Sequence, residues 1–334
     1  MARPLRAALV GSETALGREI RDLVETSTPI LELRLISGEE ESAGTLTAVG
    51  GEAAITLGLN AASLDGVNAI FLAGSPAANR KALDLADLEP EAAIVDVTGM
   101  AEDRPDARLR APSVEEMEAS AGRVQVIAHP AAIALALFLR RLQSAYSMQR
   151  AVVVMFAPAS EHGMDGVDEL QGQTVSLLSF KGLPKKMFDA QLGFSLLARY
   201  GEEAPRPLEQ VELTIERHLA TLLEMPGDGA GAPMPSLRLI QAPVFHGYSF
   251  SIWVEFEESP AVDALENALE NDVIDVRSGE AEPPNNVGQA GQGGISIGAI
   301  AGDRNHASAC WFWVVADNLR LAAENAVAVA RRLG

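Results

Sequence analysis

Five short apolar runs separated by helical patterns constrain the first third of the chain more than any other feature of the sequence. They are RAALVG (6–11), LELRLI (31–36), AIFLAG (69–74), AAIVDV (92–97) and VQVIAH (124–129), with helical periodicity from Ala15 to about Glu25 and from Ala77 to Leu85. Uninterrupted apolar runs of this length read as strands buried on both faces, and strands alternating with amphipathic helices imply a parallel sheet built from βαβ units. A Rossmann-like, dinucleotide-binding-type domain is therefore expected over residues 1–128. The pattern changes further on. VVVMFA (152–157) and APVFHGYSFSIWVEF (242–256) read as long strands, the second alternating and aromatic, with helices near 166–180 and 207–224 between them. That pattern predicts an α+β domain with a mostly antiparallel sheet over 129–314. The final strand and Ala-rich helix, 311–333, are expected to return the chain to the first domain, which takes in the helix at 315–334. GDGAGAPMP (227–235) and PPNNVGQAGQGG (283–294) read as mobile surface loops.

At 334 residues, two domains are the default expectation. Lys and Arg number 26 against 46 Asp and Glu, a net charge of −20, which repels phosphate backbones and anionic lipid and excludes nucleic acid as a natural partner. The single cysteine, Cys310, excludes an internal disulfide, and it lies in the apolar CWFWVV segment, where a thiol is ordinarily inert core. The opening MARPLRAALVG has no apolar signal region, and the apolar IALALFL (133–139) stops at Arg140 and Arg141, well short of a membrane span. A cytoplasmic location without membrane insertion is expected.

GSETALG (11–17) joins the first strand to the first helix, where amide N–H groups and a helix dipole could hold a pyrophosphate. Gly11 and Gly17 are present, but Thr14 stands at the middle glycine and Glu13 adds a negative charge. The same residues suit a plain strand-turn-helix junction that needs Gly11 for the turn and Gly17 for helix packing. The run Glu39, Glu40, Glu41 after the second strand would repel a 2′-phosphate, whereas a carboxylate there could accept from an NAD ribose; a solvated loop explains it equally well. No cofactor is expected to bind firmly. Any residual binding should be weak and favour NAD, with NADP disfavoured.

The closing WVVADNLRLAAENAV (313–327) is similar to a segment of the aspartate-semialdehyde dehydrogenase family. ESAGTLTAVGGE (41–52), LDGVNAIFLAGS (64–75), DGVDELQGQT (165–174) and QAPVFHGYS (241–249) extend the likeness nearly end to end. The closest resemblance is to the Usg-type branch, which lacks the catalytic cysteine. The resemblance implies a nucleotide-binding-type domain, a central domain that carries catalysis and forms a homodimer, and a thiolate route in which a histidine moves the proton and arginines grip the anions. The positions that match those roles are altered. Ala132 stands at the nucleophilic cysteine, Ala157 at the orienting glutamine, Gln241 at the carboxylate-gripping arginine and Tyr248 at the histidine. Gly298, Ala299, Ile300 and Ala301 replace a Gly-Arg-Ile-Arg stretch, and Glu102 falls where a phosphate-gripping arginine belongs, with Arg104 two residues on.

Three histidines border the matched site: His129 beside Ala132, His162 in the loop after Ala157, and His246 two residues before Tyr248 on the same strand face. Their convergence would suit a metal or anion, although no HxH or HxxxH spacing supports it and a lone histidine is ordinarily a hydrogen-bonded structural group. His218 and His306 read as helix-surface and loop residues. The aromatics Phe245, Trp253, Phe256, Trp311, Phe312 and Trp313 read as core or dimer-sheet packing, and Asp165 with Asp168 as a helix N-terminus. The sequence thus points to a non-catalytic dimer acting through interaction or ligand sensing. The competing reading is an NAD(P)-dependent oxidoreductase working through groups outside the matched motifs, with Arg104 or Lys181 as basic candidates.

Overall fold

The computed structural model describes residues 5–27, 30–38, 44–49, 52–87, 92–115, 122–258, 260–279 and 281–333. The chain divides into two compact units, Met1–Pro112 with Glu116–Ala128 and Ala322–Gly334, and Ser113–Glu115 with His129–Leu321.

The first unit runs β1 (Leu5–Val10), α1 (Ala15–Ser27), β2 (Ile30–Ser37), β3 (Leu46–Val49), β4 (Glu52–Ile55), β5 (Leu57–Gly58), α2 (Ala61–Leu64), β6 (Ala69–Leu72), α3 (Pro76–Ala86), β7 (Ala93–Asp96), β8 (Ala107–Arg110) and β9 (Val124–Ile127). Seven strands form one sheet in the order β5-β2-β1-β6-β7-β9-β8. All of its pairings are parallel, as the apolar runs require. Every residue of β6 and β9 is buried, so these strands have no solvent face. The chain leaves β1 through Gly11 at φ 82°, where an added Cβ would lie 2.3 Å from the Gly74 Cα. A Cβ on Gly17 would lie 2.1 Å from the Gly11 carbonyl. Close packing thus explains both glycines. Glu39, Glu40 and Glu41 lie outside the described residues.

The second unit contains α4 (Pro130–Ala145), β10 (Met148–Ala157), a 3₁₀ turn (Ala159–His162), α5 (Gly163–Leu178), α6 (Leu208–Glu224), β11 (Ser236–Gln241), β12 (Tyr248–Phe256), α7 (Val262–Leu269), β13 (Ile274–Arg277), β14 (Ile295–Gly302) and β15 (Ala309–Ala316); α8 (Asn318–Leu333) then starts here and ends in the first unit. Its six-stranded sheet has the order β11-β10-β12-β15-β14-β13. The three central pairings are antiparallel and the two edge pairings parallel. Phe250, Ile252, Val254 and Phe256 alternate onto the buried face of β12. Phe138 of α4 meets Phe312 of β15 edge to face at 5.0 Å on that side. The aromatic strip therefore divides: Phe256 and Phe312 are core, while Trp253 and Trp313 are only partly buried and Trp311 is 43% exposed on the other face.

Three sequence expectations are corrected here. The strand expected over 242–256 begins only at Tyr248, because Gly247 at φ 83° turns the backbone where Asn286 packs against it; His246 therefore does not share a strand face with Tyr248. His218 is buried rather than on a helix surface, since it lies on the inner stripe of α6 with Val211, Ile215 and Leu222. The 283–294 segment is tied down: the Trp313 indole donates to the Pro284 carbonyl, the Asn286 amide to the His246 carbonyl and the Gly291 N–H to Asp317. Arg140, which ends the apolar run 133–139, is buried and donates to the carbonyls of Leu222, Met225, Pro226 and Asp228, which holds the 227–231 turn against α4.

Candidate functional site

Pro130 opens α4 at its first helical position, where a missing N–H costs nothing, and His129 becomes the N-cap. The His129 ring accepts from the Ala131 N–H through Nδ1 at 3.2 Å, while its backbone N–H donates to His218 Nδ1 at 2.8 Å. The 3₁₀ turn after β10 is strapped to the 244–245 segment by the Ala159 and Ser160 amides, which donate to the Val244 and Phe245 carbonyls. Asn318 at the start of α8 pins the same corner, exchanging hydrogen bonds with Ser160 and accepting from the Gly247 N–H.

These straps deliver the Glu161 carboxyl into the space between His129 and Tyr248. Its Oε1 lies 2.9 Å from His129 Nε2, and its Oε2 accepts from the Tyr248 hydroxyl at 2.6 Å. The Glu161 side chain is 5% exposed and that of His129 11%. Burial acts to raise the Glu161 carboxyl, but the facing His129, by charge and hydrogen bond, outweighs it together with the Tyr248 hydroxyl and the more distant His162. The carboxyl is held down at about 2. Burial and then the neighbouring Glu161 push the Tyr248 phenol well above its usual value. A second chain lies beside the first. His162 Nε2 meets the Tyr200 hydroxyl at 2.8 Å, and that hydroxyl donates to Gln241 Oε1 at 2.6 Å. Burial pushes the His162 imidazole down and the Tyr200 phenol up, so both stay neutral near neutral pH.

The groups at the four altered positions bring neither a thiol nor a cation. Ala132 is a fully buried methyl inside the first turn of α4, and Ala157 ends β10 with its carbonyl accepting from the Gln241 amide at 2.9 Å. Gln241 also donates to the Ala242 carbonyl, so its polar atoms are engaged within the chain and it offers no grip on an anion. Tyr248 pairs with Ala316 and Val254 with Cys310. Six residues of strand, about 20 Å, thus separate the thiol from the Tyr248 position, and burial followed by Asp303 raises the thiol's pKa. Ala299, at φ 46° in a bulge between β14 and β15, is exposed where the resemblance has an arginine. Arg104 is committed to Asp87 and Asp106, each at 3.0 Å. Lys181 is exposed beyond α5.

The three-histidine site does not form. Among the described residues no group of three or more His, Cys, Asp or Glu side chains could hold a metal ion, because His129 is taken by Glu161 and His162 by Tyr200, while His246 lies outside β12. Glu161, Tyr200, His218 and Asn318 are not among the sequence-expected site residues. Glu161 carried a signal, a carboxylate beside His162 in the loop after Ala157, and His218 recurs at i+3 from Ile215 on a helical stripe. Tyr200 carried none.

In the first unit the turn after β1 is closed by its own groups. The Gly11 and Ser12 amides donate to the Ile36 carbonyl, and the Thr14 hydroxyl accepts from the Gly17 N–H. Glu13 Oε1 accepts from the Gly38 N–H at 2.9 Å, and its Oε2 is buried without a hydrogen-bond partner. No helix among the described residues is long and apolar enough to cross a membrane.

The chain is similar in sequence and fold to known proteins. The family model described as "Semialdehyde dehydrogenase, dimerisation domain" matches residues 139–321, more than half of the chain. A "USG-1 protein homolog" of Pseudomonas aeruginosa is 27% identical, with 100% of this chain and 98% of the relative covered. An "Aspartate-semialdehyde dehydrogenase" of Aquifex aeolicus is 28% identical over 98% and 97%. Among solved structures, a probable aspartate-semialdehyde dehydrogenase from Pseudomonas aeruginosa superposes with a TM-score of 0.81 at 25% identity, covering 99% of this chain and 98% of that one. Aspartate semialdehyde dehydrogenase II from Vibrio cholerae shares the fold with a TM-score of 0.82, at 23% identity and with the same coverage. The parallel first sheet, the mixed second sheet and these matches together establish that the chain belongs to the aspartate-semialdehyde dehydrogenase-like family of semialdehyde dehydrogenases.

Proposed function

We propose that this chain keeps the family scaffold without its thiol chemistry and acts as a cytoplasmic homodimer through protein interaction or ligand sensing. The observation that carries the reading is the closed Glu161–His129–Tyr248 network beside Ala132: the nucleophile position holds a methyl group, and the surrounding acid–base groups are paired with one another. A covalent route needs a nucleophile, a proton carrier near its working pKa and cationic clamps. Here the phenol at 248 is too weak an acid, Gln241 is neutral and engaged, and the only thiol is buried on a distant stretch of strand. In this reading nucleotide binding in the first unit is weak or absent, with NAD preferred over NADP. The exposed sheet face carrying Val152 and Trp311, each more than 40% exposed, is the surface through which two copies associate. Ala132→Cys tests the loss directly. With the clamps and base still missing, the variant should show no phosphate-dependent turnover of aspartate semialdehyde above a no-enzyme control. Turnover at a rate like that of the active relatives would overturn the reading.

A further inference from the structure

The carboxyl of Glu13 occupies the corner of the first unit where a dinucleotide-binding fold receives its ribose. In such folds the ligand sits beyond the C-terminal ends of the strands where strand order reverses, here between β1 and β6, and its ribose reaches towards the end of β2. Glu13 projects from the turn after β1 to the end of β2, accepting from the Gly38 N–H at 2.9 Å and the Ser37 hydroxyl at 3.4 Å. Among the described residues at the end of β2, the Gly38 N–H and the Ser37 hydroxyl are thus taken by Glu13. The corner is also tightly filled. A Cβ on Gly38 would lie 3.1 Å from the Ala78 Cβ and 3.3 Å from Glu13 Oε1, and one on Gly74 would lie 3.3 Å from the Ala78 Cβ.

Two further features argue against a nucleotide in this corner. Glu13 Oε2 is buried with no partner, a cost that a serine or alanine would avoid, so simple turn formation does not account for a carboxyl here. Several amides of the turn are used internally, those of Gly11 and Ser12 by the Ile36 carbonyl, that of Thr14 by the Gly11 carbonyl and that of Gly17 by the Thr14 hydroxyl. A nicotinamide dinucleotide does not fit these residues. We propose that Glu13 is an internal stand-in for the ribose, a single side chain that shuts the nucleotide corner of this unit.

The inference rests on the reading that nucleotide binding is weak, and it names the residue responsible. Calorimetry with NAD, NADP and adenosine 5′-monophosphate on the full wild-type chain, Glu13→Ala and Glu13→Gln tests it, with circular dichroism and thermal melting confirming that each variant folds. The wild type should give no saturable heat at millimolar ligand. Glu13→Ala should tighten NAD and adenosine 5′-monophosphate by at least about tenfold, and Glu13→Gln, which keeps the volume, by less. Micromolar binding of NAD to the wild type would overturn the proposal without reference to any variant. So would folded Ala and Gln variants whose affinities match the wild type. Neither result bears on the loss of thiol chemistry, which turnover of the Ala132→Cys variant reads separately.

Discussion

A buried carboxylate survives at position 161 because both of its oxygens meet donors. Leaving either partner unmatched would expose the full cost of burying a charge, so replacing Glu161 should hurt more than its single side chain suggests. Glu161→Gln is expected to lower unfolding free energy by about 3 kcal/mol at neutral pH, measured by urea denaturation. The pH dependence has a definite sign. The folded-state carboxyl lies at about 2, below its ordinary 4.5, so its contribution is fully present above 4.5 and is lost as pH falls through about 2. The gap between wild type and Glu161→Gln should therefore close on acidification over that window. A gap that stayed constant from about pH 5 to about pH 2 would show that Glu161 is not held as described. This residue also marks the limit of reading the sequence. The altered positions at 132, 157, 241 and 248 were legible because each falls in a motif with a known role, but the carboxylate that joins His129 to Tyr248 meets them only through folding.

Elements were easier to read than their ends. The βαβ rhythm specified five of the seven parallel strands, because buried runs such as AIFL need no solvent face, whereas the short edge strands β5 and β8 carry no such run; α6 emerged from its stripe at the expected place. The start of β12 was not legible. Alternation continues through VFHGYSF, and only the distant Asn286 packing on Gly247 turns the backbone there. Arg140 shows the same dependence on distant sequence. Its burial could not be read from the apolar run that it ends, because the four acceptors that draw it inside are carbonyls at the C-terminal end of α6 and in the turn beyond it. Arg140→Met, similar in length and unable to donate, should leave those carbonyls unpaired and cost about 3 kcal/mol or more in urea denaturation. A loss under about 0.5 kcal/mol would mean that water satisfies them and that the arginine does not organise the turn.

For the whole molecule, a charge of −20 opposes self-association, but salt screens exposed charges beyond about 8 Å at physiological ionic strength, and an apolar interface of more than roughly 2,000 Å² outweighs the remainder. Light scattering at micromolar concentration is expected to give twice the 35.3 kDa chain mass, and Trp311→Glu with Val152→Asp should return it to the single-chain value. A wild-type mass of one chain would remove both the dimer and the sheet face assigned to it. The proposed dimer, a dehydrogenase scaffold proposed to lack the family's thiol chemistry, leads to one decisive assay. Purified wild-type protein is incubated with aspartate semialdehyde, phosphate and either NAD or NADP, and nicotinamide reduction is followed at 340 nm, about the wavelength at which the reduced ring absorbs. The account predicts no rate above the no-enzyme control with either cofactor; a phosphate-dependent, saturable rate would contradict it.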